Sequence, residues 1–149
     1  MAAPTHLLVA VDFNEISEHA LARALDLAAD LHARVTLLHV YSLPSLRVGD
    51  SDLLPSADEA ARVTAEAERG LDKLVTQYAR PGVTMERLLR TGRPPAEEIC
   101  ASAREIGADL IVVGTHGRGA IGRALLGSVA MDVLRTAEVP VMSVHEKRS

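Results

Sequence analysis

Short apolar runs alternating with helix-period segments constrain this chain most, because strands buried on both faces and joined by helices fit only a parallel sheet. Four such runs are residues 6–12 (HLLVAVD), 34–40 (RVTLLHV), 108–113 (ADLIVV) and 140–145 (PVMSVH). Leu, Ile and Val dominate the first three, as expected of strands covered on both sides. Residues 83–90 alternate imperfectly and carry Glu86, Arg87 and Arg90, which predicts an edge strand. Helical segments lie between the runs. The first spans 15–32, with Leu21, Ala24, Leu25, Ala28 and Leu31 on one face and Asn14 or Ser17 as its cap. The second spans 57–80 and stops at Pro81-Gly82, and the third spans 96–106 behind Pro94-Pro95. The last opens at Gly127-Ser128 and runs to Ala137. Residues 41–56 (YSLPSLRVGDSDLLPS) show neither period and are expected to form a long loop at a strand's carboxyl end. The fold class is α/β with a parallel sheet, in one domain over residues 1–149.

Composition excludes several function classes. At 149 residues, 48% hydrophobic and 24% charged, the chain has an ordinary globular balance. Its net charge of -4 and its lack of Trp, with two Tyr and one Phe, argue against a nucleic-acid partner. No run approaches the roughly 20 apolar residues of a membrane span, and residues 7–11 are too short for a secretory signal. Cys100 stands alone, so no internal disulfide forms, and it is expected as a small buried hydrophobe. A cytoplasmic location is the expectation.

The stretch from Gly114 to Ser128 (GTHGRGAIGRALLGS) carries the candidate site. It follows the clearest strand, leads into a helix and contains no acidic residue. Its five glycines admit backbone amides close to a ligand, while Arg118, Arg123 and His116 add positive charge. A glycine turn feeding a helix amino end favours phosphate. In parallel sheets ligands bind beyond the strands' carboxyl ends, where Asp12, Val40 and Gly114 converge. An ATPase P-loop is excluded, because no lysine lies between Gly114 and Ser128. The inner Gly117-x-Gly119-x-x-Gly122 matches a dinucleotide fingerprint and leaves an NAD-using enzyme as an alternative. That fingerprint belongs in an early βαβ unit, with an acidic residue about 20 positions on, whereas only Glu146 lies near here. A turn that serves only chain reversal, in an interaction module, is the third class.

The wider spacing Gly114-x2-Gly117-x9-Gly127-Ser128 resembles the G-x2-G-x9-G-[ST] motif of the universal stress protein family, in its ATP-binding branch. The strand ending in Asp12, the His39-Val40 strand end and Pro140-Val141 are similar too, so the resemblance covers essentially the full chain. It implies a Rossmann-like five-stranded parallel sheet with helices on both faces and ATP across the ends of the first, second and fourth strands. By position, Ala10, Val11, Asp12 and Val40 would line the adenine and ribose side. Val113 and Gly114 would lie beneath the ribose and first phosphate. Gly117, Gly127, Ser128 and Val129 would hold the phosphates, with Arg118 as a charged contact. Val11 departs from the family, which often has threonine there. Asp12 suits ribose hydroxyls or a water-mediated Mg²⁺, and Ser128 suits an N-cap as well as a phosphate. The resemblance also implies a nucleotide-responsive stress or regulatory protein, and a homodimer paired through the last strand, from Pro140 to His145. With no lysine and no evident base, at most slow ATP hydrolysis is expected.

Overall fold

The computed structural model describes residues 2–115 and 126–145. Along the chain run β1 (His6–Ala10), α1 (Glu15–Leu31), β2 (Arg34–Val40), β3 (Leu46–Val48), β4 (Ser51–Leu53) and α2 (Ala57–Tyr78). They are followed by β5 (Met85–Arg90), α3 (Pro95–Ile106), β6 (Leu110–Gly114), α4 (Ser128–Thr136) and β7 (Val141–Val144). Five strands form one parallel sheet in the order β5-β2-β1-β6-β7. Both outer strands are the ones with weaker burial or a leading proline, as the sequence predicts for edges.

Side-chain alternation divides the core into two layers. On β1, Leu7 and Val9 face Ala20, Leu21, Ala24 and Leu25 of α1 and Leu71 of α2. Leu8 faces the other way, with Ala96, Ile99 and Ala103 of α3 and Ala130 and Val133 of α4. Helices therefore cover both faces, and the near-continuous apolar runs follow from that double burial. The chain steps outward from β1 to β2 and β5, then returns to the opposite side of β1 for β6 and β7. This reversal puts the topological switch point between β1 and β6, and the carboxyl ends of the strands at such a point are the usual ligand position in these sheets.

The sequence reading needs correction in three places. Residues 41–56 hold an antiparallel hairpin, with Leu46 opposite Leu53, Arg47 opposite Asp52 and Val48 opposite Ser51. Its three-residue strands are too short to show a period, and Gly49, at φ 63°, makes the reversal. Strand β1 stops at Ala10, which leaves Asp12 in the turn before α1. Cys100 is half-buried, its Sγ 3.4 Å from Thr136 Oγ1.

At the opposite end of the sheet, Asp109 ties the chain's start to β6. Its carboxylate accepts from the backbone N–H of Thr5 and of His6, at 2.9 Å each, and from the Thr5 hydroxyl at 3.1 Å. Burial opposes ionisation of Asp109, but these donors outweigh it and hold the carboxyl below its ordinary range.

Candidate functional site

The turn after β1 is built from short polar side chains that bind their own backbone. Asn14 is the N-cap of α1 and accepts from the Ser17 amide at 2.8 Å. Ser17 Oγ in turn accepts from the Asp12 amide at 3.2 Å and donates to the Asn14 carbonyl at 3.0 Å. Asp12 receives the Asn14 amide on Oδ1 at 3.2 Å and the Asn14 side-chain amide on Oδ2 at 3.1 Å. The Asp12 carboxylate is thus held in an Asx-type turn while α1 is capped by its neighbour. Each of its oxygens keeps further acceptor capacity, since an ionised carboxylate offers about four lone-pair sites.

Phe13, inside this turn, adopts φ 63°. An aromatic residue there costs on the order of 1–3 kcal/mol, so neighbouring contacts must hold it. Its ring lies against Gly70 of α2 and against the His39 ring, 4.3 Å away between centroids. His39 Nδ1 lies 2.7 Å from the Val11 carbonyl, so in the neutral ring that nitrogen carries the proton and donates it.

Of the residues expected at the adenine side, Ala10, Val40 and Val113 share the α3–α4 face of the sheet, beside Leu126. Val11 is buried in the opposite layer under α1. Its amide donates to the Leu38 carbonyl at 2.8 Å and its carbonyl accepts from His39. Gly114 closes β6, where it lets α1 approach: a Cβ there would meet Ile16 Cγ2 at 2.9 Å.

Helix α4 begins with Gly127 as N-cap at φ -60°, ψ 153°, and no side chain caps it. Ser128 is therefore its first helical residue, not its cap. Ser128 and Val129 are exposed, and the first turn carries no acidic residue. Among the described residues the first-turn amides have no side-chain acceptor, and they sit at the positive end of the helix dipole. The Gly127 amide itself donates to the Thr115 carbonyl, so Gly127 offers no free N–H. Thr115, whose amide donates to the Val144 carbonyl at 3.0 Å, pins this helix start to the ends of β6 and β7. Its buried hydroxyl has no partner among the described residues. Gly117, Arg118, His116, Gly119, Gly122 and Arg123 lie outside the described residues. Among the described residues no His, Cys, Asp and Glu cluster could hold a metal by itself. None of the described helices is long and apolar enough to cross a membrane.

Sequence reasoning missed Phe13, His39 as a turn-holding group, Thr115 and Gly70. Only Gly70 carried a local signal, being a glycine inside a strong helical pattern.

Comparison with known proteins decides the family, because the universal stress protein family matches residues 4–145. The chain belongs to the universal stress protein family. A universal stress protein of Mycobacterium tuberculosis is 36% identical over 147 residues, covering 96% of this chain and 47% of the relative. The chain thus spans about half the length of that relative. A Methanocaldococcus jannaschii universal stress protein is 29% identical over 96% of each chain. The solved structure of that protein superposes with TM-score 0.77, covering 97% of this chain and 98% of its own. The Archaeoglobus fulgidus universal stress protein, solved in complex with dAMP, is 27% identical, with TM-score 0.66 over 97% of this chain and 99% of its own. The five-stranded α/β architecture is that of the family.

Proposed function

We propose that this chain binds ATP across the carboxyl ends of β1, β2 and β6 and acts as a nucleotide-responsive regulatory protein in stress responses. The observation that carries the reading is the amino end of α4. No side chain among the described residues caps it, its first turn is free of acidic residues, and Thr115 pins it to the end of β6. Phosphate is the ligand such an end prefers. An apolar surface of Ala10, Val40 and Val113 lies on the same face of the sheet as α4, as an adenine ring requires. The dAMP complex of the Archaeoglobus relative supports an adenine nucleotide as the ligand class.

In this reading Ala10 and Val40 flank the base, and Val11, buried in the opposite layer, supports the strand ends that carry them. Asp12 takes the ribose hydroxyls with the acceptor sites that Asn14 leaves open. Val113 and Gly114 lie beneath the ribose and first phosphate. The amides of Ser128 and Val129 and the Ser128 hydroxyl hold the phosphates, over the space kept clear by Gly127, with Gly117 and Arg118 completing the cradle. Mg²⁺ would ride on the phosphates, with Asp12 reaching it through water. No lysine between Gly114 and Ser128 reaches a terminal phosphate, so hydrolysis is at most slow. The exposed edge of β7 pairs two copies into a dimer.

Equilibrium binding of labelled ATP to the wild type, Gly117→Val and Gly127→Val tests the reading. Both variants should bind at least tenfold more weakly, on the order of one lost charge-assisted contact. Unaltered affinity in both folded variants removes the glycine stretch from the site.

A further inference from the structure

Binding at the carboxyl edge leaves two features unexplained: an aromatic residue in a left-handed turn beside Asp12, and a glycine in the middle of α2. We propose that Phe13, seated on Gly70, is a positioning residue that fixes the Asp12 carboxylate and thereby the protein's discrimination for the nucleotide ribose. This rests on the reading that Asp12 takes the ribose hydroxyls.

A Cβ at Gly70 would lie 2.7 Å from Phe13 Cζ, 3.0 Å from Cε1 and 3.2 Å from Cε2. No side chain fits at position 70 unless the ring moves. Glycine inside a helix is otherwise less favourable than alanine, and the seated ring supplies the reason for it. The His39 ring forms the second wall, tilted 42° to Phe13, and its Nδ1 holds the Val11 carbonyl at 2.7 Å. The residues on either side of Asp12 are therefore both fixed by groups from other elements, β2 and α2. Asp12 receives the Asn14 amide because the chain reverses through Phe13 at φ 63°. Once the ring leaves its seat, the left-handed conformation at Phe13 loses its support from α2 and β2, the local bonds among Asp12, Asn14 and Ser17 are left to bear its strain, and the carboxylate shifts with it.

The test is a titration of the full chain with ATP and with 2′,3′-dideoxyATP, which lacks both ribose hydroxyls. It uses wild type, Asp12→Ala, Gly70→Ala, Phe13→Leu and, as a control on an exposed α2 position, Arg69→Ala. Wild type and Arg69→Ala should favour ATP by on the order of tenfold, the worth of hydrogen bonds to a charged acceptor. Asp12→Ala should bind the two nucleotides about equally. Gly70→Ala and Phe13→Leu should lose the preference in the same way while keeping wild-type affinity for the dideoxy analogue. General damage to the fold would weaken both nucleotides together. If Gly70→Ala does not fold, Phe13→Leu decides. Loss of preference in Asp12→Ala alone, with Gly70→Ala and Phe13→Leu unchanged, overturns this inference and leaves the site reading standing. Absence of preference in the wild type overturns both.

Discussion

Replacing Gly114 with alanine separates packing from ligand binding at the glycine that opens the motif. A Cβ there would sit 2.9 Å from Ile16 Cγ2 and 3.4 Å from the Ile16 carbonyl carbon and oxygen. Ile16 lies in the first turn of α1, where a β-branched side chain keeps essentially one χ1 rotamer and cannot swing its methyl away. The backbone of α1 lies behind it, so relief requires the helix start to move by a few tenths of an ångström. Overpacking of this kind costs about 1–3 kcal/mol. For a chain of this size each kcal/mol lowers Tm by about 2–4 °C, so a fall of about 2–12 °C is expected. Thermal unfolding of wild type, Gly114→Ala, Ile16→Ala and the double variant measures it as a double-mutant cycle. Removing the Ile16 side chain makes room, so Gly114→Ala should cost less in the Ile16→Ala background. Equal costs in both backgrounds would refute the packing argument, and no cost in either would show that α1 does not press on β6 as described.

Three further outcomes follow from other parts of the molecule. His6 is buried with Nε2 2.7 Å from Thr36 Oγ1; burial first and the Arg34 charge second lower its pKa from 6.5, against the opposing pull of Glu86 and Asp109. The unfolded chain then takes up the proton first, so stability falls as pH drops below about 6.5. The urea midpoint should fall between pH 7.5 and 5.5, with a smaller fall in His6→Leu; an identical fall in both contradicts the assignment. Ser56 and Glu59 form a capping box on α2, with bonds of 3.2 and 2.9 Å. Ser56→Ala should therefore cost about 1 kcal/mol in denaturant unfolding, and no change would show the box to be idle. Thr115→Val removes a buried hydroxyl that has no partner among the described residues while preserving shape, and should raise stability by about 1 kcal/mol. Any loss of stability would mean that the hydroxyl has a partner.

The strands and helices were legible where burial dictates residue type. Leu7, Leu8 and Val9 are apolar in succession because each side of β1 meets a helix layer, and Arg87 betrays the outer position of β5. The hairpin of residues 46–53 escaped because a three-residue strand shows no period and Leu46, Val48 and Leu53 remain exposed. Around the site, position along the chain was informative but side-chain direction was not. Val11 falls in line with Ala10 and Asp12 yet points into the opposite layer, because alternation along β1 carries one residue further than the strand itself. Ser128 reads as a cap because serine caps helices, while the cap is Gly127, whose own amide is taken by Thr115. Phe13 in a left-handed turn is illegible locally, since its reason lies 57 positions away at Gly70.

The proposed ligand is an adenine nucleotide held by its phosphates at the amino end of α4. Calorimetric titration of the purified chain with Mg²⁺ and ATP, followed by challenge with NAD, tests it most directly. The expected result is saturable binding of one ATP per chain that excess NAD does not displace. Absence of ATP binding, or displacement of ATP by NAD at comparable concentration, would contradict it.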